Sequence, residues 1–359
     1  MIAPQEFKGS LGADEAAAAI ASGIRSARPD WQLDILPMSD GGPGLLDAMR
    51  RAVNADTMAA VVRDALGRDV LGRYIRLRST GEVIIEAAQA NGLFHLLPDE
   101  RDAVRADSYG VGQLIADAAA SGPRRIIIGV GGSATTDGGA GALRALGARF
   151  FDMAGNELPP GGGALANLEH IAWTPPAWLS ETSVVVATDV TNPLCGPNGA
   201  ARVYAPQKGA PEAEVAELEA ALFRFAQVVR RHFGIDAANL PGGGAAGGLA
   251  LGLAAFLGAP IRSGFEMVAE AVGLPRRVEA AEVVVTGEGS FDAQSVQGKV
   301  TGRIIAMAQA RGKPVVVFAG RSREPGVMTL GSLASSEADS MDRAAELLAR
   351  AAREWATAV

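Results

Sequence analysis

Short apolar runs that stop at a glycine or a carboxylate set the tightest limit on how this 359-residue chain folds. Ile126–Val130 runs into Gly131-Gly132-Ser133, Val184–Ala187 into Thr188-Asp189, and Val283–Val285 into Thr286-Gly287-Glu288. Such continuous runs fit strands of a parallel sheet covered on both faces, which have no solvent side for polar residues. At the N-terminus a strand stub at Met1–Pro4 leads to a helix at Asp14–Ala27 and a strand at Trp31–Met38. At the C-terminus a strand at Glu282–Thr286 precedes a helix across Gly302–Ala310 and a strand at Pro314–Phe318. Both ends therefore read as βαβ units.

The middle of the chain reads differently. Thr57–Val62, Val70–Arg78 and Glu82–Ala87 follow one another through glycine-containing turns with no helix between them, which predicts antiparallel strands. The fold class is α/β, with a parallel-sheet domain built from both chain ends (residues 1–70 plus 282–359) and an inserted mixed α/β (α+β) domain at 71–281. This organisation predicts an active site in the interdomain cleft, a common place for small-molecule sites. Helical spacing at Val215, Leu218, Leu222 and Phe225 predicts a packed helix over Pro211–Phe233, and residues 343–358 predict a closing amphipathic helix.

Composition removes several function classes. A chain of this length exceeds the usual single core, which favours two domains. Apolar residues make up 48% and charged residues 20%, as in a soluble globular protein. The net charge of −7 is interspersed, so no nucleic-acid surface is expected. The lone Cys195 and the lack of a secretion-like start fit a reducing, cytoplasmic setting. The longest apolar stretch, 242–260, is mostly Gly and Ala, so it is expected to be a packed helix and not a membrane span. His95, His170 and His232 stand apart from one another and from Cys195, which gives no zinc-like cluster.

Gly129-Val-Gly131-Gly-Ser-Ala134 also fits a dinucleotide fingerprint. Ala148–Phe151 would be its second strand and Asp152 its ribose carboxylate, which would make the chain an NAD(P)-dependent oxidoreductase. The remaining loops favour different chemistry. Lys8 and Ser10 follow the first strand, Asp40 lies in Ser39-Asp-Gly-Gly42, and Asp137 follows Thr135-Thr136. Asp189 and Asn192 end one buried strand, Lys208 lies in a turn, and Glu288 and Asp292 precede Gly298-Lys299. Repeated carboxylates beside glycines, with lysines at hand, suit Mg²⁺ and phosphates: the carboxylates hold the metal while N–H groups and lysines neutralise phosphoryl oxygens. No Walker loop is present, because Ala293 replaces its first glycine and Val300 its hydroxyl residue.

Taken together, the motifs resemble the bacterial class I glycerate kinases. The likeness runs through residues 3–11, Ser39-Asp-Gly-Gly42, residues 129–139, residues 158–164 and Asp189-Val-Thr-Asn-Pro-Leu194. It continues through residues 206–210, residues 243–248 and Thr286-Gly-Glu-Gly289, with Asp292, Gln294, Gly298 and Lys299. The chain differs from the family's usual pattern at Gln5-Glu6, Ser39 and Pro43 and in a shorter segment after Gly320. The resemblance implies an ATP- and Mg²⁺-dependent kinase acting on D-glycerate, usually giving 2-phosphoglycerate, although the residues themselves leave the 2- and 3-products open. It also implies that the terminal domain is flavodoxin-like. A non-catalytic ligand-binding relative is the second alternative. On the kinase reading, Asp189 or Asp137 is the candidate base. Lys8 and Ser10 take the substrate carboxylate or the moving phosphoryl group, and Asp40, Glu288 and Asp292 take Mg²⁺. Gly131, Gly132, Ser133, Asn192, Lys208 and Lys299 are candidate substrate or phosphate contacts.

Overall fold

The computed structural model describes the chain apart from Lys8, Asp40, Ala293, Gln294 and residues 296–299, and apart from the side chains of Arg51 and Ala52. Two compact units emerge. One comprises Met1–Asp40, Asp47–Val53 and Phe265–Val359, the other Gly41–Leu46 and Asn54–Gly264.

The second unit is built on a six-stranded sheet. Its members are β1 (Ala55–Arg63), β2 (Asp69–Leu77), β3 (Val83–Glu86), β4 (Arg125–Gly129), β7 (Ser183–Ala187) and β8 (Ile261–Arg262), in the order β1-β2-β3-β4-β7-β8. The first three pair antiparallel, as their helix-free spacing predicted, and β3, β4, β7 and β8 run parallel. Ile126 and Ile128 of β4 and Val184 and Val186 of β7 are buried with Val111, Leu114 and Ile115 of the helix Tyr109–Ala120 and with Leu249 and Leu253 of the helix Leu249–Leu257. Of the Gly- and Ala-rich stretch 242–260, the part Leu249–Leu257 is thus a packed helix, preceded by turns at 242–248. A second core joins Leu218, Leu222 and Phe225 of the helix Glu212–Phe233 to Phe150 and Ile171.

Those last two residues belong to β5 (Arg149–Phe151) and β6 (His170–Ala172), which form a separate two-stranded antiparallel sheet. A dinucleotide fold requires the strand after the glycine turn to lie parallel in the main sheet. Here it leaves that sheet altogether, and Asp152 accepts the N–H groups of Ala154 and Asn156 within the hairpin. The fingerprint reading is therefore corrected: the spacing matched, but the topology does not.

In the first unit β9 (Val284–Phe291), β10 (Val315–Ser322) and β11 (Val327–Thr329) are parallel, in the order β11-β10-β9. The N-terminal stub extends this sheet, since Ile2 bridges Val285 on one side and Ile35 on the other, both parallel. The second pairing runs on to Met38, whose N–H donates to the Pro4 carbonyl at 2.9 Å. One side is covered by the helices Ala13–Ala27 and Ala344–Ala358, which bury Ile20, Ile24, Leu347 and Leu348 with Phe318 of β10. Ile305 of the helix Val300–Gln309 packs on Phe291 and Val317.

The limits of the units differ from the joins expected near residues 70 and 282. Residues 55–63 pair with β2 along their whole length and so go with the second unit. The helix Leu274–Ala280 goes with the first, where Arg277 donates to Asp34 at 2.5 Å.

Candidate active site

Because β3, β4, β7 and β8 are parallel, their carboxyl ends lie on one edge of the sheet, the edge at which open α/β sheets bind ligands. That edge carries Glu86, the Gly131-Gly132 turn, Asp189 and Ser263. The Gly41–Pro43 loop lies directly on the glycine turn. A Cβ on Gly131 would sit 2.5 Å from Gly42 Cα, and one on Gly132, whose φ is +74°, would sit 2.5 Å from Pro43 Cγ. The glycines are thus required by the close approach of backbone. The Gly131 N–H points at the Gly41 carbonyl, 3.4 Å away, so this donor faces protein. Pro43 lies just ahead of the helix Leu45–Ala52, a place where a missing N–H costs little.

Glu86 is 2% exposed, and its carboxylate accepts the Leu46 N–H at 3.3 Å in the first turn of that helix. A negative charge at a helix N-terminus is favourable.

Asp137 is fully buried, and its carboxylate collects four donors. Oδ2 accepts from Ser108 N at 2.9 Å, Ser108 Oγ at 2.8 Å and Gly141 N at 3.0 Å, and Oδ1 accepts from Gly139 N at 3.1 Å. Ser108 Oγ in turn accepts the Ala142 N–H at 3.0 Å. These bonds satisfy the opening N–H groups of the helix Ala140–Ala145 and fix the preceding glycine pair. Neighbouring Asp107 is pushed up to about 6, mainly by burial and then by the charge of Asp137.

Lys208 is only 2% exposed. Its ammonium donates to the Thr135 carbonyl at 2.5 Å and reaches Ser133 Oγ at 3.4 Å, so it braces the Ser133–Thr135 segment from inside. Burial pushes its pKa down to about 8, against the opposing pull of Asp137. Asn91 Nδ2 donates to Thr135 Oγ1 at 3.0 Å and holds the same segment from the other side.

Asp189 stands two residues beyond β7. Ser263 Oγ donates to its Oδ1 at 2.6 Å, and Thr188 Oγ1 accepts the Val190 N–H at 3.2 Å, fixing the local turn. Asn192 is engaged at both ends of its amide, accepting from Tyr204 OH and donating to the Asn198 carbonyl, each at 2.8 Å. It therefore ties the 192–204 segment together.

In the first unit the carboxyl ends of the Ile2 segment and β9 carry the other candidates. Ser10 Oγ donates to the Phe7 carbonyl at 2.9 Å, inside its own turn. Glu288 lies within β9 and is 6% exposed. Asp292 is exposed and exchanges bonds with Ser295: Ser295 N donates to Asp292 Oδ1 at 3.0 Å, and Asp292 N donates to Ser295 Oγ at 3.3 Å. Arg321 on β10 donates to Ser290 Oγ at 3.3 Å. Lys8, Asp40 and Lys299 lie outside the described residues. Among the described residues no group of three or more His, Cys, Asp or Glu is placed to hold a metal.

Three site residues escaped the sequence reading. Glu86 had a signal, since it too ends an apolar run. Ser263 follows a strand of only two residues, Ile261–Arg262, too short to stand out, and Ser108 has no local signal at all.

Parallel α/β units whose carboxyl edges carry glycine turns, carboxylates and hydroxyls, with no Rossmann dinucleotide unit among the described residues, define a small-molecule enzyme of the α/β class. The chain belongs to the glycerate kinase family, whose model matches residues 1–359. It is 42% identical over 322 residues to the glycerate 2-kinase of Escherichia coli K12, covering 89% of this chain and 84% of that one. It is 38% identical over 371 residues to a glycerate kinase of Bacillus subtilis 168, covering 100% and 97%. A crystal structure assigned as glycerate kinase 2 from Salmonella typhimurium LT2 is similar with a TM-score of 0.82 at 39% identity, covering 99% of this chain and 96% of that one.

Proposed function

We propose that this kinase transfers the γ-phosphoryl group of ATP to D-glycerate, with 2-phosphoglycerate as the favoured product. The observation that carries the choice of base is the contrast between two carboxylates: Asp137 is saturated by four internal donors, whereas Asp189 is held at a strand end on the ligand-binding edge. Asp189 then takes the hydroxyl proton as the hydroxyl oxygen bonds to the γ-phosphorus and the bond from that phosphorus to the β,γ-bridging oxygen breaks, releasing ADP. The name of the Escherichia coli relative favours the 2-product.

The reading assigns acceptor chemistry to the second unit and nucleotide chemistry to the first. The strand order of the first unit, with Ile35 and Ile2 ahead of β9, β10 and β11, is the 2-1-3-4-5 order of flavodoxin-like sheets, and its switch point falls between Ile2 and β9. Ser10 and Glu288 stand beside that point on the chain, as Lys8 does in sequence. The donors there are carboxylate and hydroxyl oxygens, which suit a hard cation. Glu288 and Asp292, with Asp40, would hold Mg²⁺, which neutralises phosphoryl charge when bound. Lys208 and Asn192 are given supporting roles, bracing the loops that face the substrate, and Lys299 and Ser133 are kept as phosphate-side candidates.

Incubation of the purified protein with ATP, Mg²⁺ and D-glycerate should release ADP only when glycerate is present, and the phosphorus NMR line of the product should be a doublet, split by the single proton on C2. Splitting by the two protons on C3 would overturn the product assignment. Asp189→Asn should lower turnover by about 10²–10⁴-fold, the usual contribution of a general base. Near-full turnover in that variant would remove Asp189 from the role.

A further inference from the structure

We propose that Ser263 is a positioning residue for phosphoryl transfer, one that holds Asp189 in the orientation needed to take the acceptor's proton. The proposal rests on the reading of Asp189 as the base. The hydroxyl-to-carboxylate bond is 2.6 Å long, in the range of charge-assisted hydrogen bonds. Both residues stand just past paired strand residues. Val186 N donates to the Pro260 carbonyl at 3.0 Å and Thr188 N to the Arg262 carbonyl at 2.9 Å, so the backbone is registered on both strands up to the residue before Asp189 and the residue before Ser263. Residue 263 is thereby delivered to a fixed height beside the carboxylate.

The physical need is specific. An aspartate has two torsions between its backbone and its oxygens, and the second is broad, so a rigid backbone alone does not aim the carboxylate. The turn at Thr188 sets the backbone of Asp189, and Ser263 sets the side chain by pinning Oδ1, which fixes the direction of Oδ2. The contribution of Ser263 is therefore orientation, and orientation errors of about 1 Å cost up to about 10²-fold in rate.

A purely structural role would tie β8 to β7 and nothing more, and the following experiment separates the two. Ser263→Ala should lower kcat about tenfold with the KM for ATP and the thermal midpoint unchanged. Ser263→Thr, which keeps the hydroxyl, should restore most of the loss. Ser263→Ala placed on Asp189→Asn should add little, because the two residues act as one unit.

If Asp189→Asn itself turns over normally, the base reading fails, and this proposal with it. If Asp189→Asn is crippled while Ser263→Ala keeps full kcat, only the positioning role is overturned. A full additional tenfold loss in the double variant, or a kcat that merely follows a lowered thermal midpoint, would also overturn it.

Discussion

At the scale of single residues, the carboxylates and the lysine of the second unit sort by what surrounds them. Asp137 receives four donors and no solvent, so it is an anchor for the helix Ala140–Ala145. Asp137→Asn replaces one acceptor oxygen by a donor facing N–H groups, and it should destabilise the fold by about 3 kcal/mol, the scale of breaking a buried charged network. A variant as stable as the parent in urea unfolding but without activity would contradict the anchor role and return Asp137 to the list of bases. The sequence showed a carboxylate beside two glycines and nothing of the two donors that arrive from Ser108, 29 positions away.

Lys208 gives a prediction in pH. Its folded pKa of about 8 lies below the ordinary lysine value, so between the two the unfolded chain holds a proton that the folded chain lacks. Stability therefore rises as pH increases through that window, by about 3 kcal/mol in all, and below pH 8 the buried charge is a standing cost. Urea titrations from pH 7.5 to 10 should show this rise in the parent protein and a flatter profile in Lys208→Met. Asp107 has the opposite sign. Its folded pKa of about 6 is raised, so it adds stability below the ordinary aspartate value and loses it as pH climbs through 6.

At the scale of elements, the clearest dependence is the pairing of the first and last helices. A Cβ on Gly23 would lie 2.1 Å from the Ala349 carbonyl oxygen and 2.9 Å from Ala352 Cβ. Gly23→Val must push the helices apart and should cost about 1–3 kcal/mol or more, read as a fall in thermal midpoint. Unchanged stability would show that the two helices yield without cost.

Both helices were legible, the first from its alanine-rich run and the last from its amphipathic pattern, as were the strands at Val184–Ala187, Glu282–Thr286 and Pro314–Phe318, because each is a local run that neighbouring residues alone define. The glycine-to-helix stretch at 129–146 was legible as strand, turn and helix, yet its topology was not. Whether the next strand joins the sheet depends on long-range pairing, here of β5 with β6, which no local pattern reports. The same limit hid Ser263, whose strand has two residues.

At the scale of the whole molecule, each compact unit has its own buried core. Ile20, Ile24, Leu347 and Phe318 fill one, and Leu114, Ile128, Val186, Phe150 and Phe225 belong to the cores of the other. The first unit is assembled from three separate stretches of chain, so its core forms only when both termini have come together. Bodies with separate cores are expected to unfold as separate cooperative transitions. Scanning calorimetry of the parent should then need two transitions to describe its heat absorption. Gly23→Val should lower only the transition of the first unit and Asp137→Asn only that of the second, by about 2–4 °C per kcal/mol for bodies of this size. A single transition that both variants shift alike would mean that the chain unfolds as one cooperative body despite its two cores.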